Sequence, residues 1–237
     1  MPISDQNKIA TSVKEKTHGY SIDDVRNEAV ERVRTGWQDN GYFKVKVSGA
    51  AIGLNNDSAK QRIGLTFQVD EGSQYRLGGI RFKHNRAIAD VTSLRRIFPI
   101  KDGDILSREK VGKGLENLRK AYTQFGYINF TVIPNTRFDE ANKLISLDMD
   151  IDEGQQFYVS RIEVLGLDEA TGDELLKSLP MKGGQIYNSR LWELSLLQSA
   201  PYFRDSPCHQ NELQWDHSVD EKSGSVVLRL DFRSCSN

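Results

Sequence analysis

Val69-Asp70-Glu71-Gly72-Ser73-Gln74-Tyr75 runs into Leu77-Gly78-Gly79-Ile80-Arg81-Phe82. Eighty-two positions on, Ile151-Asp152-Glu153-Gly154-Gln155-Gln156-Phe157 runs into Val159-Ser160-Arg161-Ile162-Glu163-Val164. A second pair keeps nearly the same offset: Phe98-Pro99-Ile100-Lys101-Asp102-Gly103-Asp104-Ile105 and Leu179-Pro180-Met181-Lys182-Gly183-Gly184-Gln185-Ile186. A third element occurs three times, a helical stretch ending in a small turn and an aromatic strand start. Its copies are Trp37 to Phe43, Tyr122 to Ile128, and Leu197 to Phe203. Coincident signals spaced by about the length of a small domain indicate tandem repeats. The expected modules are residues 1–74, 75–154 and 155–237.

The middle copy is complete and sets the element order. Tyr75 to Lys83 alternates and reads as a strand. Ala89 to Phe98 has helical spacing and stops at Pro99. Ser107 stands as an N-cap before a helix with Val111, Leu115, Leu118, Tyr122 and Phe125 on one stripe, and Gly126 is its stop. Tyr127 to Phe138 and Leu144 to Ile151 read as a hairpin around Asp139 to Lys143. Leu144, Leu147, Met149 and Ile151 form its expected buried face, with Asp148, Asp150 and Asp152 opposite in solvent. The fold class is α+β, built of small β-α-α-β-β modules, each a three-stranded sheet packed under two helices.

The third copy repeats this order. It has a strand at Phe157 to Leu165, helices at Thr171 to Leu179 and Ser189 to Gln198, and a hairpin of Leu213 to Val219 and Ser225 to Phe232. From Gly184 to Tyr202 it is six residues shorter than from Gly103 to Tyr127, so its second helix is expected to be truncated. The first copy offers helices at Asp5 to Lys16 and Ile22 to Asn40, then a hairpin of Phe43 to Val47 and Arg62 to Val69. A longer loop is expected around Asn55-Asn56-Asp57, and no opening strand is found. The chain is therefore expected to start inside a domain.

These residues resemble the polypeptide-transport-associated (POTRA) domain. The resemblance rests on the Glu71-Gly72 and Glu153-Gly154 junctions, the Gly103 and Gly184 loops, and the Gly126-Tyr127 helix end. Pro201 departs from the pattern, standing where the other copies have glycine. The resemblance implies a periplasmic arm of a Bam-type outer-membrane assembly factor or related transporter. It implies association with the outer membrane of a Gram-negative-type bacterium, and partners among unfolded outer-membrane or secreted polypeptides, a membrane barrel, or accessory envelope proteins. The 237 residues leave no room for the lipid-facing strands of a barrel, so an isolated arm is expected.

The rest of the chain argues for binding rather than catalysis. Charged residues make up 27% and hydrophobic ones 38%, a folded profile with a lean core. With 32 basic and 33 acidic residues the net charge is -1, which gives no overall field for nucleic acid. No apolar run is long enough for a transmembrane helix. Cys208, His209, His217 and Cys235 match no common zinc spacing, and the Asp148 to Glu153 cluster lacks an EF-hand loop. Gly112-Lys113-Gly114 lies mid-helix, so it reads as small surface residues or a close helix–sheet contact rather than a phosphate loop. No metal, cofactor or catalytic constellation is assigned.

The implied function is non-enzymatic. An exposed strand edge can pair main chain to main chain with an extended client. The resemblance points to the first hairpin strand of each module: Tyr42 to Ser48, Tyr127 to Arg137 and Leu213 to Val219. Pro134 is expected to confine pairing in the middle copy to Tyr127, Ile128, Asn129, Phe130, Thr131, Val132 and Ile133. The alternative is a structural spacer or adaptor of an envelope complex that binds no client. Antiparallel partners around Glu221 and Lys222 have numbers summing to about 443, as do Cys208 and Cys235. A cross-strand disulfide is therefore expected, favoured by the oxidising periplasm that the resemblance implies.

Overall fold

The computed structural model describes residues 1–16, 22–57, 60–203 and 215–233. Among them are three sheets. The first repeat has helices α1 (Ile3–Lys16) and α2 (Ile22–Asp39), followed by strands β1 (Lys46–Asp57) and β2 (Lys60–Asp70). The second has β3 (Arg76–Lys83), α3 (Val91–Arg96), α4 (Arg108–Thr123), β4 (Thr131–Asp139) and β5 (Leu144–Asp152). The third has β6 (Tyr158–Leu165), α5 (Glu169–Ser178), α6 (Ser189–Ser199), β7 (Trp215–Asp220) and β8 (Ser225–Asp231). The strand orders are β1-β2, β3-β5-β4 and β6-β8-β7. The architecture is α+β, as the repeated element order indicates.

The helix starts follow from short polar side chains that satisfy orphan N–H groups. Asp168 accepts from Thr171 N at 3.1 Å, and Asn188 accepts from Arg190 N and Leu191 N. Ser107 Oγ accepts from Lys110 N. Helix α6 has 11 residues against 16 in α4, in line with the shorter spacing. Pro201 lies in the short 3₁₀ turn Ala200–Phe203 that ends it. Gly114 is buried, and a Cβ there would stand 2.1 Å from the Phe98 ring. The small residue thus permits a close approach to the segment after α3, while Gly112 faces open space.

Four expectations are corrected. Residues 55–57 are strand, not loop: pairing runs from Lys46↔Asp70 to Asp57↔Lys60, because a two-residue connection suffices for a hairpin. Tyr127 to Phe130 precede β4 as a turn rather than opening the strand. Phe125 is not on the buried stripe of α4; it lies beyond the helix end and is 53% exposed. The buried face of β5 is Ile145, Leu147, Met149 and Ile151, with Leu144 only half-buried.

The chain falls into two compact units. One comprises Met1–Arg81, Arg95–Leu115 and Pro134–Met149; the other comprises Phe82–Leu94, Glu116–Ile133 and Asp150–Asn237. In the first, Val13, Ala29, Val33, Trp37 and Val45 form one apolar cluster. In the second, Val226, Leu228 and Leu230 of β8 are fully buried with Val159, Leu175, Leu179, Met181 and Trp192. Each such aliphatic side chain contributes about 1.5–3 kcal/mol on burial. Parallel β6 covers β8 in the register Val159↔Val226, Ile162↔Leu228 and Val164↔Leu230.

Candidate functional site

The repeated sequence motifs build a latch between successive repeats, and each unit contains one copy. Helix α2 ends with Gly41 N–H donating to Gln38 O and Tyr42 N–H donating to Trp37 O. Helix α4 ends with Gly126 N–H donating to Thr123 O and Tyr127 N–H donating to Tyr122 O. This is the Schellman pattern, which requires a left-handed residue. Gly41 and Gly126 supply it at φ 85° and 83°. Each glycine carbonyl then accepts an N–H from the start of the next repeat: Tyr75 N at 2.8 Å and Phe157 N at 2.9 Å. Gln74 and Gln156 side chains donate to Asn40 O and Phe125 O, both at 2.9 Å.

The Glu-Gly junctions close the same latch from the other side. Glu71 Oε1 accepts from the indole N–H of Trp37 at 3.1 Å. Glu153 Oε1 accepts from the Tyr122 hydroxyl at 3.2 Å and from Ala87 N at 2.8 Å. Burial, and then the adjoining Glu153 charge, push the Tyr122 phenol well above the usual tyrosine range. It therefore remains a hydrogen-bond donor at any physiological pH. Ile105 and Ile186, from the second repeated motif, pack on Gly41 and Gly126.

The second motif also covers strand edges. Leu77 N–H donates to Asp104 O, and Gly103 N–H donates back to Leu77 O at 2.7 Å. In the third repeat Val159 N–H donates to Gln185 O, and Gly184 N–H donates to Val159 O. The outer side of β3 and of β6 is thus occupied near its start. Among the described residues, the outer sides of β4 and β7 are the open edges of their sheets. Eight of the nine β4 residues and all of β7 are exposed.

Of the seven residues expected to pair with a client, only Thr131, Val132 and Ile133 lie on β4. Tyr127 to Phe130 are held elsewhere for a physical reason. Phe130 is buried and stacks on Tyr122 with ring centroids 4.3 Å apart. Ile128 packs against the apolar core of the third sheet. Asn129 is exposed, and its amide reaches Glu221 at 3.4 Å. Beyond Pro134 the strand continues to Asp139, so proline does not end it. Ile133 is 65% exposed, a large apolar side chain on an edge with nothing over it among the described residues.

The far end of β4 is engaged. The Phe138 ring meets Phe43 and Tyr75 at centroid distances of 6.3 and 5.8 Å. Lys44 sits 4.6 Å over the Phe138 ring and pairs with Glu140, which also accepts from the Tyr75 hydroxyl at 2.7 Å. Lys44 first, then Tyr75, holds the Glu140 carboxyl below its ordinary range. The open stretch of the edge is therefore Thr131 to Arg137.

The sheet faces away from the helices carry charge ladders that sequence reading missed. Asp148 does face away from the core, but it is buried, because Arg81 and Arg137 from the flanking strands cover it. Cys208 and Cys235 lie outside the described residues. The described β7–β8 register, Asp220↔Ser225 to Trp215↔Leu230, sums to 445 rather than the expected 443. Among the described residues no cluster of three His, Cys, Asp or Glu is placed to hold a metal, and no helix is long and apolar enough to cross a membrane.

Comparison with known proteins agrees with the repeat reading. The model of the POTRA family, "Surface antigen variable number repeat", matches residues 75–154. The chain is 25% identical over 224 residues to the outer membrane protein assembly factor BamA of Buchnera aphidicola, covering 90% of this chain and 36% of that protein. It is 25% identical over 166 residues to a putative outer membrane protein assembly factor of Treponema pallidum, covering 69% of this chain and 20% of that protein. The chain thus spans about a third or less of these curated relatives. Among solved structures, Haemophilus influenzae BamA POTRA3-5 superposes with a TM-score of 0.63 at 22% identity, over 87% of this chain and 80% of that one. BamA from Haemophilus ducreyi lacking POTRA domains 1-3 gives 0.55 at 13% identity, over 68% of this chain and 30% of that one. Residues 75–154 thus match the POTRA family model, and the chain shares the fold of tandem POTRA domains.

Proposed function

We propose that this chain is a non-enzymatic periplasmic scaffold of outer-membrane protein assembly or secretion, with modules 1–74, 75–154 and 155–237. Its β4 edge takes up an extended client or partner segment as an added strand. The observation that carries this reading is the open, exposed edge from Thr131 to Arg137, bounded by the Phe130 anchor and the Phe138 cluster. The similarity to BamA proteins supports the setting. Main-chain pairing is largely indifferent to side chains, which suits a binder of many unfolded chains.

Proline position sets which groups face the client. A proline is accommodated in an edge strand where its nitrogen points away from the neighbouring strand. Val132 and Thr136 share the parity of Pro134, so their N–H groups face outward, and that of Thr131 faces β5. Thr136→Pro removes an outward donor at an exposed site. Titration of the full chain with a barrel-type alternating peptide, followed by amide NMR, is expected to shift β4 in the parent and not in Thr136→Pro. Equal shifts in both, or none in the parent, would leave the spacer or adaptor reading.

A further inference from the structure

We infer that the two joints of this chain answer differently to salt. A charge clamp holds the joint between the first and second repeats and loosens as ionic strength rises; the joint between the second and third is closed by neutral contacts and does not respond. This inference does not depend on client binding at β4.

Both joints share the latch, and each adds an apolar plug. Phe43 meets the Phe138 ring at the first joint, and Ile128 enters the core of the third sheet at the second. The joints part at the polar positions to either side. On the sheet side of the first, Lys44 pairs with Glu140 and lies 4.6 Å over the Phe138 ring and 5.9 Å over that of Tyr75. On the helix side, Arg108 Nη1 donates to Thr35 Oγ1 at 3.0 Å and to Gln38 Oε1 at 3.3 Å. Asp39 Oδ1 accepts from Glu109 N at 2.7 Å. A carboxylate at the end of α2 thus caps the first turn of α4, where the helix dipole favours negative charge.

The repeat alignment shows what the second joint has instead. The Asp139-Glu140 turn recurs as Asp220-Glu221, so the acceptor is kept. In place of Lys44 stands Asn129, three residues after the latch glycine in each copy, and its amide reaches Glu221 at 3.4 Å. In place of Arg108 stands Ser189, whose hydroxyl lies 3.0 Å from that of Thr123, the counterpart of Gln38. In place of Asp39 stands Gln124, and the Arg190 N–H of α6 is satisfied within its own repeat by Asn188. Glu193 attracts Lys120 across this joint, but more weakly than Glu116 does, with which Lys120 pairs at 2.9 Å.

Exposure decides the response. The Lys44 and Glu140 side chains are 49% and 53% exposed, so dissolved ions reach them. At about 1 M salt the screening length falls to roughly 3 Å, shorter than the reach of such a pair. Hydrogen bonds between neutral groups carry no net charge to screen. Salt therefore loosens the first joint and leaves the second as it was.

The test follows two equivalent amides of the full chain by hydrogen exchange: Tyr75 N–H at the first joint and Phe157 N–H at the second, each held by a latch glycine carbonyl. Raising NaCl from about 0.05 M to about 1 M is expected to speed exchange at Tyr75 by about three- to tenfold relative to Phe157, the range of one or two exposed charge contacts. Lys44→Met, which keeps the apolar stem over Phe138, should remove most of that difference. Asn129→Lys is the converse: it should slow exchange at Phe157 in low salt and make it salt-dependent, whereas Asn129→Met should do neither. An equal response to salt at both amides, a response undiminished in Lys44→Met, or Asn129→Lys behaving like Asn129→Met would overturn the inference.

Discussion

Asp148 and Arg229 occupy corresponding positions in successive sheets and carry opposite charges. Asp148, on β5, accepts from Nε and Nη2 of Arg81 at 2.9 and 3.0 Å and lies 3.3 Å from Arg137. Arg229, on β8, donates to Glu163 at 3.0 Å and to both oxygens of Asp216 at 3.1 and 3.0 Å. One ladder runs plus, minus, plus across β3, β5 and β4; the other runs minus, plus, minus across β6, β8 and β7. The geometry is retained while every sign is inverted, because cross-strand pairing needs only complementary neighbours.

The two ladders should differ in energy through burial. The Asp148 side chain is 9% exposed, and that of Asp216 is 62% exposed. Removing Asp148 leaves the Arg81 and Arg137 guanidinium groups without their shared carboxylate. Asp148→Ala is expected to cost about 1–3 kcal/mol. Asp216→Ala should cost about 0.5 kcal/mol or less. Urea denaturation of both variants checks the order, and equal losses would contradict the role given to burial.

Glu140 ties the end of β4 to Lys44 of the first repeat and to Tyr75 at the start of its own, and should make stability pH-dependent. Its folded-state carboxyl is held below the ordinary 4.5, first by Lys44 and then by Tyr75. A depressed pKa contributes stability above the unfolded value and loses it as pH falls through the folded one. Parent protein should therefore exceed Glu140→Gln in stability at pH 7, and the difference should shrink as pH falls from the unfolded carboxyl's range through the lowered folded one. Thermal melts across pH 3 to 7 give the answer. A difference independent of pH would mean that Glu140 acts through packing rather than charge.

Gly103 and the latch glycine Gly126 separate two costs of adding a methyl group. Gly103 has φ 85° with open space around it, so Gly103→Ala meets only the left-handed backbone penalty, about 1–2 kcal/mol. Gly126 has the same conformation, but a Cβ there would stand 2.8 Å from both Phe157 O and Ile186 Cγ2. The Phe157 N–H bond to Gly126 O keeps the two backbones together. Gly126→Ala should cost a further ~1–3 kcal/mol. Denaturation midpoints in which Gly103→Ala falls as far as Gly126→Ala would show that the latch yields.

The Cys208–Cys235 disulfide remains our proposal, resting on an oxidising compartment, with the described β7–β8 register two residues away from the spacing that would set the cysteines opposite each other. Intact mass after alkylation, without reduction, of protein from an oxidising host should show no label. Closing that loop would stabilise the chain by about 3 kcal/mol in the chain-entropy model. Two labelled thiols would remove the disulfide.

The repeat was legible because local chemistry recurs along the chain. Glu71 and Glu153, Gly41 and Gly126, and Gly103 and Gly184 each meet a requirement of backbone geometry or hydrogen bonding that a few neighbouring residues state in full. Helix periodicity and capping at Ser107 are local in the same sense. The edge site was read less well. Tyr127 to Phe130 alternate like a strand, yet Phe130 stacks on Tyr122 and Ile128 enters the next core. The burial of Asp148 depends on Arg81 and Arg137, 67 and 11 positions away in sequence. Alternation states which side chains share a face, and the amino-acid order carries that much. Whether a face or an edge is covered depends on partners brought together from distant parts of the chain, and the folded arrangement of strands settles it.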